Sequence, residues 1–495
     1  MKKNLPSSWV LAPLAEIACL NPGVDKTQFA ADDELPFVPM PAVEAETGRI
    51  DVSERRPFSK VRSGFTSFAS GDVLFAKITP CMENGKMAIV PPLPRVIGFG
   101  STEFHVLRPS DGVDKTFLYY FVSSSLVRNE AQRSMSGAVG QKRVPRRFLE
   151  TKELPLPPLN EQHRIVDKID TLFTELDQGE AALRKVQALL ARYRQSVLKD
   201  AVTGQLTADW RARNSHRLES GHDLLARILE ARRQNWQGRG KYREPAPPGI
   251  EGLPELPAGW VWATVDQLAE VIGGLTKNSK RKDLPLRRPM LRVANVYQNR
   301  LELDDVHEIG LSERELPRVE LQRDDILVVE GNGSQDQIGR MAIWHDEISG
   351  AVHQNHLIKI RMIEKGLVEF ALWWFQSPQG RQTIEQAASS TSGLYTLSIS
   401  KLQSLIVPVP SLAEAAEISQ HIVECFSNSE STGLACESEL TRSAALRQSI
   451  LKDAFAGRLV PQDLADESAS ALLARIRAER AGGSDEVRRP RKEHA

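Results

Sequence analysis

Arginine, lysine and amide side chains gather in a few short runs of this 495-residue chain. The densest is Gly140-Gln141-Lys142-Arg143-Val144-Pro145-Arg146-Arg147, with Arg128 and Arg133 on the helix expected before it. A second is Lys277-Asn278-Ser279-Lys280-Arg281-Lys282, followed by Arg287-Arg288. Lys77 and Lys86 stand at the ends of expected strands. Asn332, Ser334, Gln335 and Gln337 lie in a Gly-flanked stretch after another strand. Ser389-Ser390-Thr391 leads into Ser392-Gly393-Leu394-Tyr395-Thr396, which is polar but not basic. Cationic groups grip phosphates, while Arg, Lys, Asn and Gln can reach the polar edges of bases. Each run also has a plain alternative, as a solvated loop or a polar turn. His353 and His356 invite a metal reading. Ala351 to Arg361 looks like a strand, however, where residues three apart face opposite sides, and this argues against a shared ion.

Bulk composition narrows the choice. Lys and Arg total 64 and Asp and Glu total 64, for a net charge of +0. A polyanion reader with that balance must cluster its charge locally or share the load with a partner. The four cysteines (Cys19, Cys81, Cys425 and Cys436) form no C-x-x-C pair, so neither a zinc site nor a disulfide framework is indicated. Gly85-Lys86 runs into Met87 and lacks the upstream glycine of a phosphate-binding loop. Asn21-Pro22 runs into Gly23, not into the Pro-aromatic pair of an amino-methyltransferase. Met1-Lys2-Lys3 leads into a polar, Pro-bearing segment unlike a secretory signal. No apolar run approaches a membrane span. The expectation is a soluble, cytoplasmic chain without a zinc site, a membrane span, a phosphate-binding loop or an amino-methyltransferase motif.

The elements that position these side chains come in two copies. Arg194-Gln195-Ser196-Val197-Leu198-Lys199-Asp200-Ala201 returns 253 residues later as Arg447-Gln448-Ser449-Ile450-Leu451-Lys452-Asp453-Ala454. Leu154-Pro155-Leu156-Pro157 returns as Val407-Pro408-Val409-Pro410, and Leu5-Pro6-Ser7-Ser8-Trp9-Val10 as Leu256-Pro257-Ala258-Gly259-Trp260-Val261. Leu224-Leu225-Ala226-Arg227-Ile228 returns as Leu472-Leu473-Ala474-Arg475-Ile476. Collinear matches of this kind mean a duplicated unit. A duplicated unit suits a target that itself has two halves.

Each copy opens strand-rich. Asp72 to Ile78 and Gly85 to Val90 read as strands, as do their counterparts Asp325 to Glu330 and Gly339 to Trp344. An amphipathic helix follows, carrying Tyr119-Tyr120-Phe121 in one copy and Trp373-Trp374-Phe375 in the other. Trp9, Trp260 and the Trp373-Trp374 pair read as core. Prolines from Leu154 to Leu159 then break the pattern. Ile165, Ile169, Leu172, Leu176, Gly179, Leu183, Val186, Leu190, Tyr193 and Val197 form a heptad seam, which predicts a coiled-coil helix closed by Gly204. The second copy keeps Ile418, Ile422, Leu446 and Ile450, but its centre is weak: Cys425, Ser429, Thr432, Cys436, Glu439 and Ser443. Such a helix makes sense paired antiparallel with the first.

The expected class is α/β: two α/β globules related by an internal repeat and separated by two long antiparallel coiled-coil helices, with pseudo-two-fold symmetry. The divisions are 1–158 for the first globule and 159–204 for the first coil. A helical segment and linker follow at 205–254. The second globule is 255–411 and the second coil 412–460, leaving 461–495 for a short helix and a tail expected to be disordered after Ala481.

Leu156-Pro157-Pro158-Leu159-Asn160-Glu161-Gln162-His163-Arg164-Ile165-Val166 before a long coil resembles the specificity (S) subunits of Type I restriction-modification systems. So do Gln195-Ser196-Val197-Leu198 and Gly204-Gln205-Leu206 at the coil end. The second copy departs, with Ala413-Glu414-Ala415 in place of Asn160-Glu161-Gln162. The resemblance runs to about Leu459. It implies that each globule is a target recognition domain reading one half of a split, double-stranded DNA sequence. It also implies that the coils set the unread spacer and dock two methyltransferase (M) subunits and two restriction (R) subunits. S-adenosylmethionine, ATP and Mg2+ would belong to those partners, with no cofactor in this chain. The docking candidates are then Asn160, Glu161, Gln162, Arg194, Gln195, Arg447 and Gln448. Arg128, Arg133, Gln141, Lys142, Arg143, Arg146 and Arg147, with Lys77 and Lys86, are the DNA candidates of the first globule. Lys277, Lys280, Arg281, Lys282, Asn332, Ser334, Gln335, Gln337 and Tyr395 are those of the second. The rivals are a coiled-coil scaffold without DNA function and a fused nuclease-methyltransferase.

Overall fold

The computed structural model describes all residues except 1–4, 139, 215–218, 237–239, 335–336, 392–393 and 487–495. The chain divides into two compact units, Met1–Arg184 with Glu437–Ala495, and Lys185–Cys436. These cut across the linear division drawn from the repeat, because each long helix is shared between both units.

In the first unit an antiparallel sheet runs in the order Ala18–Leu20, Phe104–Pro109, Val73–Ala76, Met87–Ile89. A second sheet runs Arg55–Pro57, Glu34–Val38, Ile97–Gly100, Thr66–Ala69. Val73, Leu74, Phe75 and Ala76 are all buried, so this strand is covered on both faces. The helix Lys115–Ser123 is capped by Asp114, which accepts from the backbone N–H groups of Thr116 and Phe117. Phe117 and Phe121 then pack with Phe455, which follows the second long helix. The helix Ala469–Glu486 adds Leu472, Leu473 and Ile476 to the same core. It runs past Ala481, where a disordered tail was expected; 487–495 lie outside the described residues.

The second unit repeats the plan. Its sheet runs Ala269–Gly273, Leu357–Met362, Ile326–Val329, Met341–Ile343. Ala351 to Arg361 is two strands, Val352–His353 and Leu357–Met362, with a turn between them rather than one continuous strand. The helix Gly221–Gln234, expected as part of a connector, contributes Leu224 and Ile228 to the core. Trp260 and Trp374 are buried, and Trp374 Nε1 donates to the Ile406 carbonyl at 2.7 Å. Trp373 is half-buried, stacked edgewise on Phe426.

The long helices are Leu159–Val202, of 44 residues, and Leu412–Ala454, of 43. Within the first unit Glu180 accepts from Ser443 at 2.7 Å, and Arg447 pairs with Asp177 at 2.5 Å and Glu180 at 3.2 Å. The order of these contacts is antiparallel. Within the second unit Arg194 donates to Ser429 at 2.9 Å. The expected seam needs one correction. Gly179, Val186 and Tyr193 are exposed, and Glu180, Gln187 and Arg194 take the inward positions. Likewise Thr432, Glu439 and Leu446 are exposed, and Gly433, Leu440 and Arg447 replace them. A helix of 3.6 residues per turn drifts off a strict 3.5 repeat, and one extra four-residue step resets it. That step falls after Leu176 in one helix and after Ser429, its repeat equivalent, in the other.

Candidate nucleic-acid interface

The repeat places the same small corner on both units. In the first, the chain leaving the central strand at Lys77 meets the Ser136–Arg143 bridge. Lys77 N–H donates to the Glu103 carbonyl at 2.9 Å, and Val144 N–H donates to the Lys77 carbonyl at 2.8 Å. Thr79 N–H donates to the Lys142 carbonyl at 3.0 Å, and Ser136 and Arg143 exchange backbone bonds. His105 is buried beneath, its Nε2 2.9 Å from the Val144 carbonyl. Burial holds its pKa below the ordinary histidine value, so the ring stays neutral and donates from Nε2. Arg143 meets both oxygens of Glu103, at 2.9 and 2.8 Å, and this pairing holds the Glu103 carboxyl below its usual range.

This corner gathers Lys77, Gln141, Lys142 and Arg143. Arg133, Gln141, Lys142 and Arg147 are exposed, and among the described residues none of the three cations has an ion-pair partner. Arg146 is exposed and pairs with Glu150 at 2.7 Å.

In the second unit Leu397 N–H donates to the Glu330 carbonyl at 2.8 Å, and Glu330 N–H to the His356 carbonyl at 3.0 Å. Gly331–Asn332 pairs with Leu394–Thr396, which pairs with Ser389–Thr391. Asn332 and the half-buried Tyr395, distant in sequence, are thus direct cross-strand neighbours. Ser334 and Gln337 are exposed beside them, and Gln335 lies outside the described residues. Lys277, Lys280 and Lys282 are exposed on and before the turn Ser279–Asp283.

Three candidates are tied down instead. Arg128 donates to the Glu83 carbonyl at 3.0 Å and to Glu46 at 2.9 Å, with its side chain 13% exposed. Arg281 grips Glu315 at 2.8 Å and the Thr276 carbonyl at 2.8 Å, with 14% exposed. The Arg281 bond, with Ser312, draws the Glu315 pKa down to about 2. Lys86 Nζ donates to the Met40 carbonyl at 3.2 Å. These cations hold loops together: carboxylates remote in sequence reach Arg128 and Arg281, and a backbone carbonyl takes Lys86. No local spacing announces such acceptors: Glu103 stands 40 residues from Arg143, and Glu46 stands 82 from Arg128. His353 is fully buried, bonded at Nδ1 to the Leu357 carbonyl at 2.8 Å and held neutral by burial, its pKa near 3. His356 is exposed and faces Glu330. No cluster of three metal-ligating groups occurs among the described residues.

The docking candidates turn mostly inward. Gln162 is buried and meets Asp114 N–H at 2.8 Å and the Gly112 and Pro157 carbonyls. Glu161 is buried and accepts from Gln462 at 3.0 Å. Neither can meet a partner while the helix start is folded, so both are internal ties. Arg194 and Arg447 lie in the helix seams described above. Gln448 accepts from Ser125 N–H at 2.9 Å, Asn160 donates to Asp466 at 3.1 Å, and Gln195 is exposed. Glu414, the counterpart of Glu161 in the second copy, is buried as well. It accepts from Thr207 at 2.8 Å, Arg211 at 2.6 Å and Trp260 Nε1 at 2.9 Å.

The chain matches the Type I restriction modification DNA specificity domain over residues 6–184. It is 28% identical to the Type I restriction enzyme EcoKI specificity subunit of Escherichia coli (strain K12), over 97% of each chain. Its fold matches a chain from a structure of complex assembly and conformational transition in the type I R-M system, with a TM-score of 0.66, 19% identity, and coverage of 92% of this chain and 99% of that one. It also matches the HsdS subunit from Thermoanaerobacter tengcongensis, with a TM-score of 0.54, 19% identity, and coverage of 92% and 98%. The repeat, the two long helices and a likeness running nearly end to end together carry one conclusion: the chain is similar throughout to Type I restriction-modification specificity subunits.

Proposed function

We propose that this chain is the DNA-recognition subunit of a Type I restriction-modification complex, reading an asymmetric, two-part duplex target with its two units and docking M and R subunits. The observation that carries the asymmetry is the corner itself. One backbone design occurs in both units, but it carries Lys77, Gln141, Lys142 and Arg143 in the first and Glu330, Asn332, Tyr395 and Thr396 in the second. Unlike side chains on a shared frame select unlike bases. The chain is non-catalytic in this reading: it places adenines before methyltransferase subunits that hold S-adenosylmethionine, while ATP and Mg2+ serve the R subunits. With zero net charge, much of the phosphate grip falls to those partners.

The test is single-molecule sequencing of genomic DNA from cells co-expressing the chain with its M partner, scored for N6-methyladenine. The expected result is a split motif with one methylated adenine in each half, of which only one half changes when residues 1–158 are exchanged for those of a relative. A stable complex that methylates no motif would overturn the reading and favour a scaffold.

A second measurement concerns charge. Replacing Arg133, Lys142 and Arg147 together by glutamine is expected to weaken DNA binding by the assembled complex equally for all sequences. The slope of log affinity against log salt should become shallower by up to about 3, at roughly 0.9 per phosphate contact. An unchanged slope would remove these residues from the interface.

A further inference from the structure

The equivalence of the two corners extends to single charges. Lys77 and Glu330 occupy the same place, each donating its N–H to a carbonyl and accepting one N–H on its own carbonyl. The carbonyl is that of Glu103 in the first unit and of His356 in the second. The charges are inverted: a cation beside a carboxylate that is already engaged by Arg143, against a carboxylate beside an imidazole. The Arg143 position is Thr396 in the second unit, and among the described residues no guanidinium meets Glu330. His356 Nδ1 lies 3.1 Å from Glu330 Oε2, and among the described residues Oε1 accepts no hydrogen bond. The pair is accessible, with 60% of the imidazole and 31% of the carboxylate exposed. The neighbouring pair of strands carries Asn332 on one and Tyr395 on the other, neither of them charged.

A carboxylate on a DNA-facing surface is repelled by phosphates unless it meets a hydrogen-bond donor. In the major groove the donors are the exocyclic amines of cytosine and adenine, and Glu or Asp accepting from the cytosine amine is a recurrent pairing. Building on the recognition role proposed above, we propose that Glu330, oriented by His356, reads an exocyclic base amine in the half-site of the second unit, whereas Lys77 at the equivalent place holds a phosphate. The two half-sites are then held by different means. Salt-sensitive backbone contact dominates the first, and base contact dominates the second.

The experiment uses the full chain assembled with its M subunits and a panel of duplexes carrying the mapped motif, with each base pair substituted in turn. Glu330→Ala is expected to relax preference at one base pair of the second half-site by about tenfold or more. That pair, C·G or A·T, identifies the amine. Preference in the first half-site should be unchanged, which also certifies folding, and the salt slope should not become shallower. His356→Gln, which keeps the carboxylate but loosens it, is expected to relax the same base pair partially, and it decides the matter if Glu330→Ala does not assemble. Lys77→Gln should weaken all sequences alike and make the slope shallower by about 1. Retained preference at every pair of the second half-site, or a uniform change across the panel, would overturn the proposal. A wild-type complex with no bipartite motif would instead remove the recognition role on which it rests.

Discussion

Glu414→Ala is expected to destabilise the second unit by about 3–5 kcal/mol, the usual cost of removing one partner from a buried ion pair. The carboxylate is 2% exposed and ties three groups from two segments to the start of the second long helix: Thr207 and Arg211 from the chain after the first, and Trp260 from the start of the globule. Its loss leaves a buried indole N–H and hydroxyl without their acceptor. Arg211, 18% exposed, recovers some hydration, which places the cost near the lower end. Urea unfolding of the full chain measures it. Glu161→Ala, at the equivalent place in the first unit, removes a single bond from Gln462 and should cost less, about 1–3 kcal/mol. Equal losses in the two variants would show that the three-way tie has no special weight.

The second large effect is a pH dependence. Lys359 is fully buried on a central strand, donating to the Arg318 and Glu320 carbonyls at 3.1 and 2.8 Å. Asp325 lies 4.0 Å away, but its oxygens meet Arg361 at 2.7 and 2.6 Å. Desolvation, with Arg361 next in weight, lowers the Lys359 pKa from 10.5 to about 8. The sign follows from proton counts. Below pH 8 both folded and unfolded chains are protonated at this lysine, and the penalty for burying its charge is complete. Between pH 8 and 10.5 the unfolded chain binds more proton, so this group's contribution rises with pH, by about 3 kcal/mol in all. The wild type should therefore gain stability relative to Lys359→Met across that window. A difference independent of pH would mean that the ammonium is not held down. The position equivalent to Lys359 in the first unit is Val106, so the effect belongs to the second unit alone.

Duplication made much of this architecture legible. The paired motifs located both long helices, the aromatic helices and the buried Trp9 and Trp260, because hydrophobic period and proline position are local signals. Two things were not legible. The seam register failed by one residue past Leu176, since apolar Val186 and Tyr193 fit a strict heptad that the helix does not follow. Glu180, Ser443 and Arg447 take inner positions there, and polar residues satisfying one another across helices leave no apolar signal. The charged candidates failed where a carboxylate remote in sequence intervenes. Arg128 and Arg281 look as available as Arg133 and Lys280 until Glu46, Glu83 and Glu315 are placed around them. Cross-strand neighbours such as Asn332 and Tyr395 depend on pairing that a single sequence does not display.

The way the units are composed also bears on how the chain comes into being. The second unit is one continuous stretch, Lys185–Cys436, and can close as soon as that stretch has been made. The first is not complete at Arg184: Phe117 and Phe121 wait for Phe455, and its core waits for Leu472, Leu473 and Ile476. Domains usually finish in the order in which they leave the ribosome. Here the order is reversed, and the amino-terminal unit matures last. An apolar face of the first unit thus stays uncovered until the stretch through Ile476 has been made.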